Sequence, residues 1–108
     1  MKTRHASKAQ ESKLAQDLGI KCSANSGAAL WAAGDVYGKN ILLECKTKME
    51  PSKNITIQKA WLNKIKEEAI MNGKEMYGLA FNFEPGGQNW IAIPQWMLEE
   101  YIELKENQ

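Results

Sequence analysis

The chain has 108 residues, of which 44% are hydrophobic and 25% are charged, and its net charge is +1. A chain of this length can bury its own hydrophobic core, so we expect one domain, residues 1–108, without a metal or disulfide scaffold. It contains no apolar run near the roughly 20 residues of a transmembrane helix, and its first residues do not resemble a signal peptide. Two cysteines, Cys22 and Cys45, are too few for a disulfide framework. These features predict a cytoplasmic protein with free thiols and no membrane partner.

The charge is distributed unevenly along the chain. Residues 1–74 contain thirteen Lys and Arg residues against seven acids, whereas residues 75–108 contain one Lys against six acids. The two parts therefore carry about +6 and −5. Such a separation is typical of a protein that offers one basic face to a polyanion. Two solvated surfaces of opposite sign would give the same counts, so charge alone leaves both interpretations open.

The first predicted element is a helix over residues 6–18. Ser7 is suited to be its N-cap, with Gln10 completing a capping box. Glu11 lies at the edge of the apolar stripe, from where its carboxylate can reach over a neighbouring sheet; a solvated helix Glu is the alternative. We expect the helix to end at Gly19. Its apolar stripe consists of Leu14, Ala15 and Leu18.

Three strands are predicted next, over residues 20–24, 32–37 and 40–48. The first two are separated by a loop of mainly small residues, 25–31. Such residues allow the backbone to approach a phosphate closely. The loop lacks the Lys-Ser/Thr pair of a nucleotide-binding loop, so nucleotide binding is not expected.

The second half of the chain begins with a break at residues 49–54. A helix is predicted over residues 57–72, with Thr56 as its N-cap and Gly73 at its end. Trp61 falls on the apolar side of this helix, and we expect it in the core rather than as a platform for stacked bases.

Three further elements complete the predicted fold. They are a buried strand over residues 76–83, a return strand over 89–93 after a turn at 84–88, and a helix with Pro94 at its first position. The order α-β-β-β-α-β-β-α predicts an α/β fold in which helices flank a central, mixed, five-stranded sheet.

The turn between the second and third strands sets the positions of the candidate catalytic residues. We expect a two-residue turn at residues 38–39 or 39–40. Either turn puts Asp35 on the same face as Glu44, directly opposite or one diagonal step away, about 5–8 Å apart. Lys46 shares that face, because side chains two residues apart in a strand point the same way. Two carboxylates at this separation can bind one hard cation, and a surface ion-pair cluster is the alternative.

The order of these features resembles the PD-(D/E)XK nuclease superfamily. Four elements carry the resemblance, in this order: Glu11 in a helix, the loop Ser23-Ala24-Asn25-Ser26-Gly27, Gly34-Asp35, and Glu44-Cys45-Lys46. The set is most similar to the small Holliday junction resolvases of archaea and phages and covers about residues 8–83. It departs from the superfamily pattern at Gly34, where the name-giving proline would stand.

Together, hairpin geometry and resemblance predict a catalytic set of Glu11, Asp35, Glu44 and Lys46. The three acids are the expected metal ligands, and the resemblance adds the backbone carbonyl of Cys45, whose side chain faces the core. Lys46 would orient the attacking water and offset charge that develops at phosphorus. Mg²⁺ is the expected cofactor, because it binds to a few carboxylates while keeping several waters, and Mn²⁺ should substitute for it.

Further residues are expected to contact the site or the DNA. The resemblance implies auxiliary roles in the site for Gln58 and Ser26. Contacts with DNA phosphates are expected from two serines and four lysines: Ser23, Ser26, Lys48, Lys53, Lys59 and Lys64.

These features predict a metal-dependent, structure-selective DNA endonuclease, most specifically a Holliday junction resolvase with a role in recombination or repair. Symmetrical cuts in two opposing strands need two sites, so a homodimer is implied. Its interface is expected at Phe81 and Phe83, at the Trp90 strand or at the Trp96 helix. Two alternatives stay open: a nuclease of the same core that acts on flaps, ends or duplex DNA, and a non-catalytic DNA-binding module.

Overall fold

The computed structural model describes residues 2–23 and 35–108, with side chains from residue 6 onward. The predicted loop 25–31 and the start of the predicted second strand lie outside these ranges. The elements are α1 (Lys2–Leu18), β1 (Lys21–Cys22), β2 (Val36–Tyr37), β3 (Ile41–Lys46), α2 (Lys59–Met71), β4 (Met76–Phe81), β5 (Trp90–Ala92) and α3 (Gln95–Glu106). Their order is the predicted one. In the described part of the chain, no helix is long and apolar enough to cross a membrane.

The five strands form one sheet in the order β1-β2-β3-β4-β5. Strands β3 and β4 are parallel, and the other three pairs are antiparallel. A parallel pair needs a long connection between its strands, and α2 supplies it. The predicted α/β fold, with a mixed five-stranded sheet flanked by helices, is therefore confirmed.

The core lies on both faces of β3, because successive side chains of a strand point to opposite faces. The cluster beneath α1 consists of Leu14, Ala15, Val36, Leu43 and Ala80. The cluster beneath α2 consists of Leu42, Ile65 and Ala69. Strand β3 is thus held between two helical layers, which fixes the position of the polar residues at its end.

The first two helices end at glycine, as predicted. Gly19 and Gly73 have φ angles of 69° and 68°, a region of backbone conformation that glycine adopts without strain. After α2, the N–H of Lys74 donates to the carbonyl of Ala69 at 2.8 Å, which satisfies a helix-end carbonyl in a Schellman motif.

The helix starts differ from the predictions. Helix α1 already includes Ser7, so this residue is not its N-cap. The five residues before Ser7 contain no Pro or Gly that would stop the helix. Helix α2 has Gln58, not Thr56, at its N-cap, consistent with the low helix propensity of the β-branched residues that precede it. Pro94 is the N-cap of α3 rather than its first helical residue.

The β2–β3 hairpin turns at residues 39–40, the second of the two predicted positions. The N–H of Gly38 donates to the carbonyl of Ile41 at 2.9 Å. The Lys74 ammonium donates to the Gly38 carbonyl at 2.7 Å and lies 5.5 Å from the ring centre of Tyr37. Lys74, three residues beyond the end of α2, therefore ties the hairpin to the helical layer.

A buried asparagine joins the end of β3 to the end of β4. The Asn82 side-chain oxygen accepts hydrogen bonds from the Thr47 hydroxyl at 2.9 Å and the Lys48 N–H at 3.0 Å. Nearby, the N–H of Ser52 donates to the carbonyl of Phe83 at 2.8 Å. These bonds fix the chain just beyond Lys46 and were not predicted from the sequence.

Asn82→Ala is expected to lower the free energy of unfolding by about 2–3 kcal/mol, because it leaves the donors of Thr47 and Lys48 without their acceptor. Urea unfolding measures the loss of stability. Asn63→Ala, at an exposed position of α2, is the matched control. Equal stability of the two variants would show that the Asn82 bonds contribute nothing.

Candidate active site

Strand pairing brings Asp35 beside the end of β3. Val36, which follows Asp35, pairs with Leu43 in the antiparallel register, and the Asp35 carboxylate reaches the backbone of Cys45 two residues further along β3. Asp35 is fixed on both sides by backbone hydrogen bonds: its N–H donates to the Leu43 carbonyl at 2.8 Å, and its carbonyl accepts from the N–H of Ser23 at 2.9 Å. The acid is therefore anchored at the end of β2 by its main chain.

The Asp35 carboxylate accepts a hydrogen bond from the backbone N–H of Cys45 at 2.8 Å. In an extended strand the N–H and C=O of one residue point to the same side, so the Cys45 carbonyl also faces this edge of β3. The Cys45 side chain packs against the cluster beneath α1, as predicted. Burial raises the pKa of its thiol, and the charges of Asp35 and the other site acids raise it further. The thiol is therefore protonated and unsuited to be a nucleophile.

The Glu44 carboxylate is mostly buried, with 12% of the side chain exposed. Two ammonium groups approach it, that of Lys46 at 3.8 Å and that of Lys64 at 3.9 Å. Burial nevertheless raises the pKa of Glu44, with the charge of Asp35 contributing, and the two lysines only partly oppose this effect. Desolvation of the Glu44 carboxylate, together with the charge of Asp35, therefore outweighs the attraction of its two lysines.

The ammonium of Lys46 is positioned by two groups on the α2 side of the sheet. It lies 4.5 Å from the ring centre of Trp61, a cation–π contact, and close to Glu44. The expectation that Trp61 lies in the core was wrong: the residue is half-buried, and Ile65 and Ala69 are the buried positions of α2. The ring covers the site lysine because α2 crosses back over the end of β3.

Glu11 projects from α1 toward the same acids. Burial raises the pKa of Glu11 to about 7, and the charges of Asp35 and Glu44 raise it as well, whereas Lys8 lowers it. Three carboxylates from α1, the end of β2 and β3 therefore lie within electrostatic reach of one another.

Gln10 ties α1 to the site strand, a role that was not predicted. Its side chain is 5% exposed, and its amide nitrogen donates to the carbonyl of Lys46 at 3.0 Å and to the side-chain oxygen of Asn89 at 2.9 Å. Its amide oxygen has no hydrogen-bond partner among the described residues. The sequence does contain one indication of this role: Gln10 lies four residues before Leu14, so it falls on the buried side of the helix.

The donor set suits a hard cation, although its side chains do not converge on one point. Among the described residues, no group of three or more His, Cys, Asp or Glu side chains has the separation of a metal site. Asp35 instead bonds to the Cys45 N–H, and Glu44 contacts Lys46. The residues still fit Mg²⁺, because all the candidate ligands are oxygens and a cation would offset the repulsion from Asp35 that adds to the effect of burial on Glu11 and Glu44.

The predicted auxiliary residues have different positions. Ser23 is half-buried and bonds through its N–H to the carbonyl of Asp35. Gln58 is exposed at the N-cap of α2, where its side chain makes no capping hydrogen bond. Ser26 and Gly34 lie outside the described residues.

The predicted DNA-binding lysines do not form one group. Lys53 and Lys59 are exposed, and Lys48 is half-buried. Lys64 lies within ion-pair distance of Glu44 and of Glu68, at 3.9 Å in each case. Lys53 and Lys59 are therefore better suited than Lys64 to contact phosphates.

Comparisons of the chain with protein-family models, with curated proteins and with solved structures return no match. The functional inference consequently depends on the geometry and chemistry of the site.

The raised pKa of Glu11 predicts that the stability of the protein decreases as the pH rises. Because this pKa is about 7 in the folded protein against an ordinary 4.5, the folded state binds more protons between these values, and stability is lost as pH rises through 7. Glu11→Gln should therefore be more stable than wild type at pH 8. Allowing for solvent screening, we expect the free energy of unfolding of the variant to exceed that of wild type by about 1 kcal/mol, which corresponds to an increase of about 4–8 °C in Tm.

Thermal unfolding at pH 4.5, 6 and 8 measures this difference, which should disappear at the lowest pH. Glu67→Gln, at an exposed position of α2, is the matched control. A Glu11→Gln variant that follows wild type at every pH would contradict the electrostatic coupling of the three acids.

Proposed function

We propose that the protein is a metal-dependent endonuclease that hydrolyses phosphodiester bonds in branched DNA, most specifically a Holliday junction resolvase. One observation carries the proposal: Glu11, Asp35 and Glu44 reach one another electrostatically from three elements, and the Lys46 ammonium lies 3.8 Å from Glu44. A surface ion-pair cluster does not require a mostly buried Glu44 or carboxylates with raised pKa values.

The acids are suited to hold Mg²⁺ or Mn²⁺. Glu11, Asp35 and Glu44 offer carboxylate oxygens, and the Cys45 carbonyl faces the same edge as the Asp35 carboxylate. When bound, the metal would supply an activated water and stabilise the charge of the phosphate. The protein's part is to keep the carboxylates close in a partly buried site, where each interaction with a cation is stronger than in water.

Lys46 is suited to act on the attacking water and on the phosphate oxygens. Its ammonium is held between Glu44 and the Trp61 ring, so it does not have to be ordered when DNA binds. A positive charge already in place where negative charge develops is the arrangement that lowers a phosphoryl-transfer barrier.

Exposed cations at and before the start of α2 support DNA as the substrate. Lys53 precedes α2, Lys59 is its first residue, and the Gln58 side chain between them is also exposed. Phosphate contacts of this kind position DNA without reading its sequence, so selectivity would come from DNA shape. Cleavage of both opposing strands of a junction would require two copies of the site, hence a homodimer.

Asp35→Asn and Glu44→Gln are each expected to reduce cleavage at least about 100-fold, because each removes a charge needed to hold the metal. Asparagine can still accept the hydrogen bond from the Cys45 N–H, so the fold should be retained. The assay uses a labelled four-way junction beside duplex, flap and single-stranded DNA, with Mg²⁺ or EDTA. Glu67→Gln is the control for loss of a carboxylate outside the site.

The junction assay also separates the related functions. Paired, symmetrical, Mg²⁺-dependent nicks in the junction support the resolvase. Cleavage of flaps, ends or duplex DNA instead keeps the nuclease and rejects the junction as its substrate. No cleavage of any substrate with Mg²⁺ or Mn²⁺ rejects the enzyme and favours a non-catalytic DNA-binding module.

Lys46→Ala should lower cleavage at least about 100-fold while Mg²⁺ still raises Tm, because Lys46 is not a metal ligand. Lys13→Ala, at an exposed position of α1, is the matched control. Full activity of the Lys46 variant would remove this residue from the mechanism, and loss of the Tm response to Mg²⁺ would assign it a structural role instead.

A further inference from the structure

Two aromatic residues stand beside Lys46 across the sheet. Lys46 at the end of β3 pairs with Phe81 at the end of β4, and Phe81 pairs with Trp90 at the start of β5. Paired residues of neighbouring strands point to the same face of a sheet and lie about 5 Å apart. All three residues are on the α2 face, because Leu42 packs beneath α2 and Lys46 follows it at an even spacing in β3.

Two further rings extend this arrangement. The Phe83 ring meets the Phe81 ring edge to face, with ring centres 6.0 Å apart, and the Trp61 ring lies 4.5 Å from the Lys46 ammonium. We call Trp61, Phe81, Phe83 and Trp90 the aromatic row. Trp90 is 51% exposed, and the other three residues are half-buried. Each ring is linked to the next by a contact or a strand pairing, directly or through Lys46, so the aromatic row is continuous.

Backbone hydrogen bonds hold two more lysines next to the aromatic row. The N–H of Lys48 donates to the side-chain oxygen of Asn82, which lies between the two phenylalanines in sequence, at 3.0 Å. The N–H of Ser52 donates to the carbonyl of Phe83 at 2.8 Å, and the exposed Lys53 is the next residue. Cations and aromatic rings are therefore interleaved at this end of the sheet.

A bridging side chain fixes the start of β5 relative to Lys46. The Gln10 amide nitrogen donates to the carbonyl of Lys46 at 3.0 Å and to the side-chain oxygen of Asn89 at 2.9 Å. Asn89 directly precedes Trp90. The most exposed ring of the aromatic row thus has a set position relative to the site lysine before anything binds, which lowers the entropic cost of binding.

Rings interleaved with cations are the combination that binds single-stranded nucleic acid. Bases stack on the rings, and ammonium groups contact the phosphates. In an intact duplex the faces of the bases are covered by their neighbours, so only unpaired or unstacked bases can use such a surface. An apolar protein surface would match the rings but not the charges of Lys46, Lys48 and Lys53 beside them.

We propose that the aromatic row binds unpaired bases of DNA, on the strand whose phosphate reaches Lys46. The row then selects a substrate with unstacked bases beside the phosphate to be cleaved, as at a branch point or in a single-stranded tail. This role in cleavage rests on the proposed function, whereas the binding of bases requires neither metal nor cleavage.

Fluorescence anisotropy in EDTA tests the proposal with two labelled strands of equal length and charge. One is a thymidine strand of about 12 nucleotides, and the other has an abasic sugar at every position. Wild type is expected to bind the thymidine strand at least about 5-fold more tightly, because phosphate contacts are common to both strands and only one has bases to stack. Trp90→Leu should abolish this preference, and Trp90→Phe, which keeps a ring of similar apolar size, should retain it.

Tyr101→Leu is the matched control, because it removes a ring that is 56% exposed in α3 and outside the aromatic row. It should bind both strands like wild type, and circular dichroism confirms that each variant is folded. Equal affinity of wild type for the two strands overturns the proposal. So does a Trp90→Leu variant that keeps the base preference; if that variant also dissociates a wild-type dimer in sedimentation equilibrium, the aromatic row is instead an interface between copies.

Failure of this proposal is distinguishable from failure of the proposed function. A base preference that depends on Trp90, in a protein that cuts no DNA with Mg²⁺ or Mn²⁺, rejects the endonuclease and leaves the aromatic row as a binding site for DNA bases. Metal-dependent cleavage by a protein without any base preference rejects the aromatic row alone.

Discussion

The pairing register of β2 and β3 is the constraint on which the site depends. Leu43 is buried beneath α1 and Leu42 beneath α2, so a slip of one residue would exchange their faces and move Glu44 to the wrong side of the sheet. The turn at residues 39–40 sets this register, and Lys74 ties the turn to the end of α2. Core packing and turn geometry thereby bring Asp35 against Leu43 and Cys45, the two neighbours of Glu44 in β3.

The same packing puts negative charge where it is costly. Burial and mutual repulsion raise the pKa values of Glu11 and Glu44, and nearby lysines only partly offset them. A fold selected only for stability would avoid this arrangement, because like charges in a partly buried site oppose one another. Carboxyl groups with perturbed pKa values are found more often at functional sites than elsewhere.

Much of the fold was predictable because its signals are local. Gly19 and Gly73 mark the ends of α1 and α2 through a conformation that favours glycine, and alternation along β3 assigns its two faces. Ser7, Thr56 and Trp61 were assigned wrongly for the opposite reason. Whether a polar residue caps a helix, or an aromatic residue is buried, depends on what packs beside it, and local sequence does not contain that information.

The sequence by itself determined the element order and, through period-two alternation, the common face of Glu44 and Lys46; the full catalytic set stays a prediction. Only the tertiary structure decided what surrounds them. The Lys46–Trp61 contact joins β3 to α2, and the bonds of Gln10 and Asn82 join residues 34 to 79 positions apart. Such contacts arise when whole layers pack together, so no local pattern records them. The exposure of α3 belongs with them, because an amphipathic pattern in sequence does not reveal whether the rest of the domain covers the helix.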